Sequence, residues 1–375
     1  MTGLHSKTIP EKSVPNIAVH AGGLDRKMLM DGEAEVKIIN QQIITELDKL
    51  GIYKHLSEKG VTEIVINDPG RHFVEKDSVW HEIESPDVDS DNLIEALGQL
   101  LINESERSQN FDSDNPMLSL TMPGNARIQL VRKPAAEHAS LTIRIPSKVN
   151  FTLDQYAKNG LFDRIIPITE TITKEDQQLK DLLKKKDYRR FLELAIETRK
   201  NIVVSGATGS GKTTFMKSLL GLISKEERII TIEDAREIFI EDHPNRVHLM
   251  YPKSASSSSV TAKSCLEATL RMKPDRIILA EVRGDEAFYF MRACGNGHSG
   301  SITSCHADSA LMAYEQIALM INAAKEGASL SHDVIKRLIY MTIDVSIHFA
   351  NHHGKRFITG IDFEPERKLQ MLHHG

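Results

Sequence analysis

The sequence predicts an α/β fold in two parts, a mostly parallel sheet covered by helices preceded by a smaller α+β domain. Three observations carry this expectation. From about residue 190 onward, apolar strand-like runs alternate with amphipathic helical ones. The first 150 residues instead hold several β-rich pieces at hairpin-like intervals. Gly206, Gly211, Lys212 and Thr213 fit G-x-x-x-x-G-K-[ST], directly after the apolar run Asn201-Ile202-Val203-Val204-Ser205.

Composition narrows the class. The 375-residue chain is long enough for two or three domains. Its 40% hydrophobic and 26% charged residues are ordinary for a soluble globular protein. A formal net charge of −5 argues against a broad nucleic-acid surface, and no sequence-specific nucleic-acid binding is expected. Aromatics make up 5%, with Trp80 the one tryptophan, too few for a single-strand stacking platform. Cys265, Cys294 and Cys305 form no C-x-x-C pair, so neither a zinc site nor a disulfide framework is expected, and a reducing, cytoplasmic setting fits. No run reaches the roughly 18 apolar residues needed to cross a bilayer. The polar opening MTGLHSKTIPEKSVPNIAVHAGG lacks an apolar core, so residues 1–30 are read as a flexible arm rather than a signal.

The elements follow in order. EAEVKIINQQIITELD (33–48) places Val36, Ile39, Ile43, Ile44 and Leu47 at helical spacing. GVTEIVINDPG reads as a strand closed by an Asp68-Pro69-Gly70 turn, and HFVEKDSVWHEI as strand material turning near Lys76-Asp77-Ser78. DNLIEALGQLLINES (91–105) is a second amphipathic helix, capped by Asp89, Ser90 or Asp91. MLSLTMP, NARIQLVRKP and ASLTIRIP complete an antiparallel sheet, giving an α+β domain over 31–150. Residues 151–190 mix short helical pieces with polar connectors and are read as a linker. Their basic cluster (Lys184, Lys185, Lys186, Arg189, Arg190) is first a solvated helix face, with contact to anionic lipid or a neighbouring subunit as the alternative. Over 191–375, FLELAIETR, TTFMKSLLGLI, SCLEATLRM, the stretch from about Asp285 to Cys294 and ALMAYEQIALMIN read as helices. NIVVSG, RIITIED, RIILAEVRG, SITSCH, VSIHFAN and FITGIDF read as strands. SASSSSV (254–260) is read as a mobile loop.

Three constellations carry chemistry. In the loop Gly206, Ala207, Thr208, Gly209, Ser210, Gly211, Lys212, Thr213 and Thr214, glycines let backbone N–H groups curl around phosphates at a helix N-terminus. Lys212 would neutralise β- and γ-phosphates, and the Thr213 hydroxyl would ligate magnesium. RIILAE ends in Glu281, at the strand edge where ligands meet open α/β sheets, suited to positioning water or holding magnesium through water. RIITIEDAREI ends in Glu233 and Asp234 with Glu237 close behind. These suit a Mg-nucleotide site, or a helix cap by Asp234 with Glu237. Which of Glu233, Glu237 and Glu281 acts as base stays open. In GNGHSGSITSCHAD, glycines surround His298 and a strand ends at His306, both placed to donate to or sense a phosphate. Arg127 and Arg144 lie on predicted strands and can equally pair with acids. Arg271 and Arg283 read as surface charges, and His348, His352, His353, His373 and His374 as exposed.

Taken in order, GATGSGKTT, ITIEDAREIF, RIILAEVRGDEAF and GHSGSITSCHAD resemble the Walker A, Asp, Walker B and His boxes of the secretion-ATPase superfamily. VTEIVINDPG, ARIQLVRKPAAEHASLTIRIPS, FTLDQYAKNGLF, HPNRVHLMYP and CLEATLRMKP resemble its subgroup serving type IV secretion, the VirB-operon traffic ATPases. The resemblance runs from about residue 35 to about 350. It implies an N-terminal α+β domain followed by a RecA-like ATPase domain, assembled as a homo-hexameric ring with nucleotide between domains. It also implies that Arg127 and Arg144 reach the phosphates as arginine fingers do. The Walker B strand ends in Ala280-Glu281 with no aspartate before the glutamate, leaving magnesium to water, Thr213 and Asp-box acids. The expected function is an ATP- and Mg-dependent hexameric motor for type IV secretion or conjugation. It would work at the cytoplasmic face of the inner membrane with other secretion components. A pilus extension or retraction motor and a nucleotide-gated scaffold are the alternatives.

Overall fold

A computed structural model describes residues 32–105, 109–122, 125–147, 151–163, 165, 171–252 and 259–373. The arm read over 1–30, residues 254–258 of the serine-rich loop and His374 lie outside the described residues.

The first unit is a six-stranded antiparallel sheet with two helices. Helix α1 (Gly32–Lys49) precedes strands β1 (Val61–Ile66), β2 (Gly70–Lys76) and β3 (Val79–Ser85). Helix α2 (Ser90–Glu104) leads to β4 (Met117–Thr121), β5 (Arg127–Val131) and β6 (Ser140–Arg144). The strand order is β3-β2-β1-β6-β5-β4. Because side chains alternate along a strand, the sheet has two unlike faces. Ile64, Ile66, Ile128, Leu130, Leu141 and Ile143 share one core with Ile43 and Leu47 of α1 and Ile94, Leu97 and Leu101 of α2. The alternate positions Glu63, Asn67, Gln129 and Thr142 are polar, yet buried.

That polar face meets the second unit. Arg228, fully buried, donates to Asn67 Oδ1 at 2.8 Å, Asn245 Oδ1 at 2.5 Å and the Met272 carbonyl at 2.8 Å. Lys273 bonds Glu75 at 3.0 Å, and Arg236 pairs with Glu137. Buried polar groups need such partners, which fixes how the units meet.

Between the units, α3 (Leu153–Lys158) buries no side chain, whereas α4 (Lys174–Lys184) and α5 (Tyr188–Glu197) insert Leu179, Phe191, Ala195 and Ile196 into the second unit's core. Arg189 and Arg190 are paired with Glu193 and Glu197 on α5, as on a solvated helix face.

The second sheet comprises β7 (Ile202–Gly206), β8 (Ile229–Glu233), β9 (Arg246–Met250), β10 (Arg276–Leu279), β11 (Ile302–Cys305), β12 (Val345–His352) and β13 (Lys355–Asp362). Helices α6 (Lys212–Leu220), α7 (Ala262–Thr269), α8 (Glu286–Gly295), α9 (Ala310–Ala323), α10 (His332–Thr342) and α11 (Pro365–His373) connect or follow them. The order is β13-β12-β7-β11-β10-β8-β9, parallel except for β13. Val203, Ile230, Ile232, Ile277 and Leu279 enter one core, while Ile202, Val204, Ile229 and Ile278 enter the other. Burial on both faces is why these strands read as continuous apolar runs.

Three elements fall outside the alternation read from sequence, β9, α10 and the closing helix α11. β9 (RVHLM) is a five-residue edge strand paired with β8; its alternation of Val247 and Leu249 with Arg246 and His248 is short. α10 does carry a helical signal, with buried Ile335 and Ile339 and a Ser331 cap. Among the described residues, no helix is long and apolar enough to cross a membrane.

Candidate functional site

The loop after β7 builds a cradle. Gly206 has φ 147°, and a Cβ there would sit 2.4 Å from the Phe349 carbonyl oxygen, so a side chain is excluded. Gly211, at φ 103°, is the N-cap of α6, whose first N–H groups have no partner within the helix. Thr208 to Thr214 line a cleft of about 610 Å³ together with Glu237, Glu281, Arg283, Ser304, His306 and Arg356.

The loop's polar groups are ready for an anion. Lys212 Nζ, almost buried, donates to the loop's own carbonyls, Gly206 at 2.8 Å and Ala207 at 3.1 Å. Burial lowers its pKa, with the Glu281 charge opposing the shift. Ser210 is fully buried and its hydroxyl has no partner. A buried donor left unpaired is costly, which suits a site completed by ligand oxygens.

Glu281 stands just beyond β10, where the parallel strands point their carboxyl ends at the loop. Arg283 donates to its Oε2 at 2.6 Å, and His306 Nε2, beyond β11, lies 2.6 Å from its Oε1. Arg283 also bonds Asp234. Burial works against the Arg283 charge, but these two carboxylates more than offset it and raise its pKa. Glu281 thus accepts from Arg283 through Oε2, while its Oε1 lies beside the His306 ring without a hydrogen-bond partner of its own.

The structure separates the three candidate acids. Glu281 and Glu237 line the cleft. Glu233 does not, which corrects its reading as a possible base. It is fully buried, and its Oε2 accepts the backbone N–H groups of Glu237 and Ile238, both at 2.8 Å. Its Oε1 accepts from Thr231 at 3.0 Å, so Glu233 holds the following loop rather than facing water.

His298 is a second correction. It precedes β11, and β11 runs parallel to β7 with Ile302 opposite Ile202, so His298 sits at the sheet edge opposite the loop. Its Nδ1 lies 3.2 Å from the Pro274 carbonyl, and burial lowers its pKa. His306, at the other end of the same strand, is the histidine the cleft receives.

Arg127 and Arg144 are opposite each other across β5 and β6, and Glu63 is opposite Arg144 across β1 and β6. Arg144 Nε is 3.8 Å from Glu63 Oε1, and both arginines are exposed. Neither lines the cleft of its own chain. Burial raises the Glu63 carboxyl to about 7, with the Arg144 charge opposing it.

Of three further lining residues, Arg283 was read as a surface charge, which its place in the cleft corrects, and Ser304 and Arg356 were missed in the sequence. Arg283 is two positions beyond Glu281, a spacing that could have drawn it in. Ser304 is part of β11, its hydroxyl on the Ala280 carbonyl at 2.7 Å. Arg356 comes from the β12–β13 hairpin and carries no local signal.

With this geometry in view, comparison with known proteins decides the family. The profile for type II/IV secretion system proteins matches residues 46–344, most of the chain. The chain belongs to the type II/IV secretion system protein family. Within it, the chain is 42% identical over 328 residues to the type IV secretion system protein VirB11 of Brucella suis, covering 85% of this chain and 90% of that one. A type IV secretion system protein PtlH homolog of Bordetella bronchiseptica is 36% identical over 320 residues, covering 84% and 93%. The crystal structure of the VirB11 ATPase from the Brucella suis type IV secretion system in complex with sulphate superposes with a TM-score of 0.84. It is 39% identical and covers 90% of this chain and 99% of that one. This secretion-family chain is a type IV secretion traffic ATPase, with a RecA-like second unit and an α+β first unit.

Proposed function

We propose that the cleft after β7 hydrolyses ATP with magnesium, in a homo-hexameric ring whose first units move with the nucleotide state. The observation that carries the reading is the convergence of Lys212, Glu281 and His306 on one cleft lined by Thr208 to Thr214. Glu281 orients a water and takes its proton as the water oxygen bonds the γ-phosphorus. The bond from that phosphorus to the bridging oxygen breaks, leaving ADP and phosphate. Lys212 and the loop N–H groups stabilise the charge that develops. Arg283 holds Glu281 in place, with His306 beside its other oxygen, and Glu237 faces the same cleft.

Thr213, with Glu281 acting through water, would hold magnesium, which would supply charge neutralisation between β- and γ-phosphates. No cluster of three or more His, Cys, Asp or Glu among the described residues is arranged to hold a metal by itself. A division near residue 151 fits this mechanism, with the stretch before α4 as the connection that lets the units exchange neighbours, since α4 and α5 are packed into the second unit's core.

Arg127 and Arg144 lie outside their own chain's cleft, so in this mechanism they serve an adjacent subunit. Loss of the γ-phosphate then breaks a bridge between subunits, and the first unit swings. The motion drives pilus assembly or substrate transfer through other type IV secretion components at the cytoplasmic face of the inner membrane. No sequence-specific nucleic-acid contact is required.

Subunit mixing tests this. Arg144→Ala and Lys212→Ala are each expected to lose about 10³-fold in turnover when alone. Mixed at equal amounts they should regain part of it, because some clefts then combine an intact loop with an intact arginine. A mixture as silent as its components would contradict action between subunits, and native turnover in Arg144→Ala would remove that arginine from the mechanism.

A further inference from the structure

The β12–β13 hairpin leans over the phosphate loop. Its two-residue turn, His353-Gly354, has φ of 50° and 81°, the turn type that matches strand twist. Asn351 and Arg356 are directly opposite across the hairpin, so their side chains share a face. Asn351 Nδ2 donates to the Gly209 carbonyl at 3.5 Å. A Cβ placed on Gly211 would lie 3.0 Å from Arg356 Cδ, and one on Gly206 would meet Phe349 of the same hairpin. The loop's glycines therefore serve the hairpin's approach as well as the phosphates'.

Arg356 lines the cleft and has no carboxylate partner among the described residues. The other cleft cations differ. Lys212 is on loop carbonyls, and Arg283 is held by Glu281 and Asp234. An exposed guanidinium with its stem packed on the loop and its head unpaired is free to bond an incoming anion.

Sheet order tells which part of the nucleotide it meets. Glu281, His306 and Glu237 follow β10, β11 and β8, on one side of β7, while the hairpin is on the other. In the proposed reading of the cleft, on which this inference rests, the acids, Thr213 and magnesium mark the γ-phosphate end. The remaining phosphates then extend toward the hairpin.

We propose that Arg356 is a further nucleotide-binding residue, a guanidinium that the hairpin supplies in its own chain to the α- and β-phosphates. It binds ATP and ADP alike, and so contributes to affinity rather than to the chemical step.

Three variants of the full chain test this, with ADP, ATP and inorganic pyrophosphate as probes. Arg356→Met keeps the stem on Gly211 and removes the charge. Arg356→Lys keeps charge without the planar fork. Lys212→Ala reports on the cleft itself. In Arg356→Met, ADP binding and KM for ATP should weaken together by about tenfold or more, with pyrophosphate weakened alike. Its kcat should stay within about threefold, and Arg356→Lys should fall between. Unchanged ADP affinity in Arg356→Met would overturn the proposal. So would a kcat loss without an ADP effect, which would put the contact at the γ-phosphate, or weakened ADP with native pyrophosphate binding, which would put it on the base. If Lys212→Ala binds ADP as the wild type does, the cleft reading itself fails. If Lys212→Ala loses ADP and Arg356→Met does not, Arg356 alone is wrong.

Discussion

At the carboxyl edge of the second sheet, Lys212 holds only loop carbonyls and the Ser210 hydroxyl is buried without a partner. At the amino edge, Arg276 is equally buried but fully engaged, bonding Glu227 twice at 2.8 Å and the Ile196 carbonyl at 3.0 Å. Burial would raise the Glu227 carboxyl, but the Arg276 bonds override it and hold it below the usual range. His306 at the first edge meets Glu281 in the cleft, whereas His298 at the second faces the Pro274 carbonyl. The two edges hold the same residue types. What separates them is leftover bonding capacity, which a ligand can use at one edge and packing has consumed at the other.

That contrast can be broken by substitution. The largest effect should come from Glu281→Gln, which keeps shape and removes the base. Turnover should fall by about 10²–10⁴-fold in steady-state ATP hydrolysis, with ADP binding retained. At the amino edge, Arg276→Ala should leave kcat per folded molecule unchanged but cost about 3 kcal/mol in denaturant unfolding, because Glu227 loses two charged hydrogen bonds and keeps only Arg199. Glu233→Gln should cost roughly 1–3 kcal/mol by the same measurement through its bonds to the Glu237 and Ile238 N–H groups. If it instead matched Glu281→Gln in lost turnover at wild-type stability, the division of roles among the acids would be wrong. His298→Ala is the smallest, with kcat changing by less than about twofold. A hundredfold loss there would erase the difference between the edges.

These edges also mark how far the sequence could be read. The βα alternation, the phosphate loop and Glu281 were legible because each depends on local pattern, an apolar strand followed by a fixed spacing. Glu233 looked equivalent to Glu281, since both end apolar strands. Only the fold shows one facing a loop's N–H groups and the other facing the cleft. The glycines around His298 suggested a ligand, yet Gly300 answers to packing, since a Cβ there would lie 2.6 Å from Arg276 Nη1. Arg356 was invisible because its meeting with Gly211 is made by sheet order, not by sequence spacing. β9 was missed for a different reason, since its polar–apolar alternation spans only the five residues Arg246 to Met250.

Whether the cleft after β7 cleaves ATP in an assembled ring is read from steady-state ATP hydrolysis across a range of protein concentrations, with Lys212→Ala beside the wild type. Specific activity should rise with concentration as rings assemble and be absent in Lys212→Ala. Hydrolysis in Lys212→Ala at the wild-type rate would contradict it, because the cleft after β7 would then not be where ATP is cleaved.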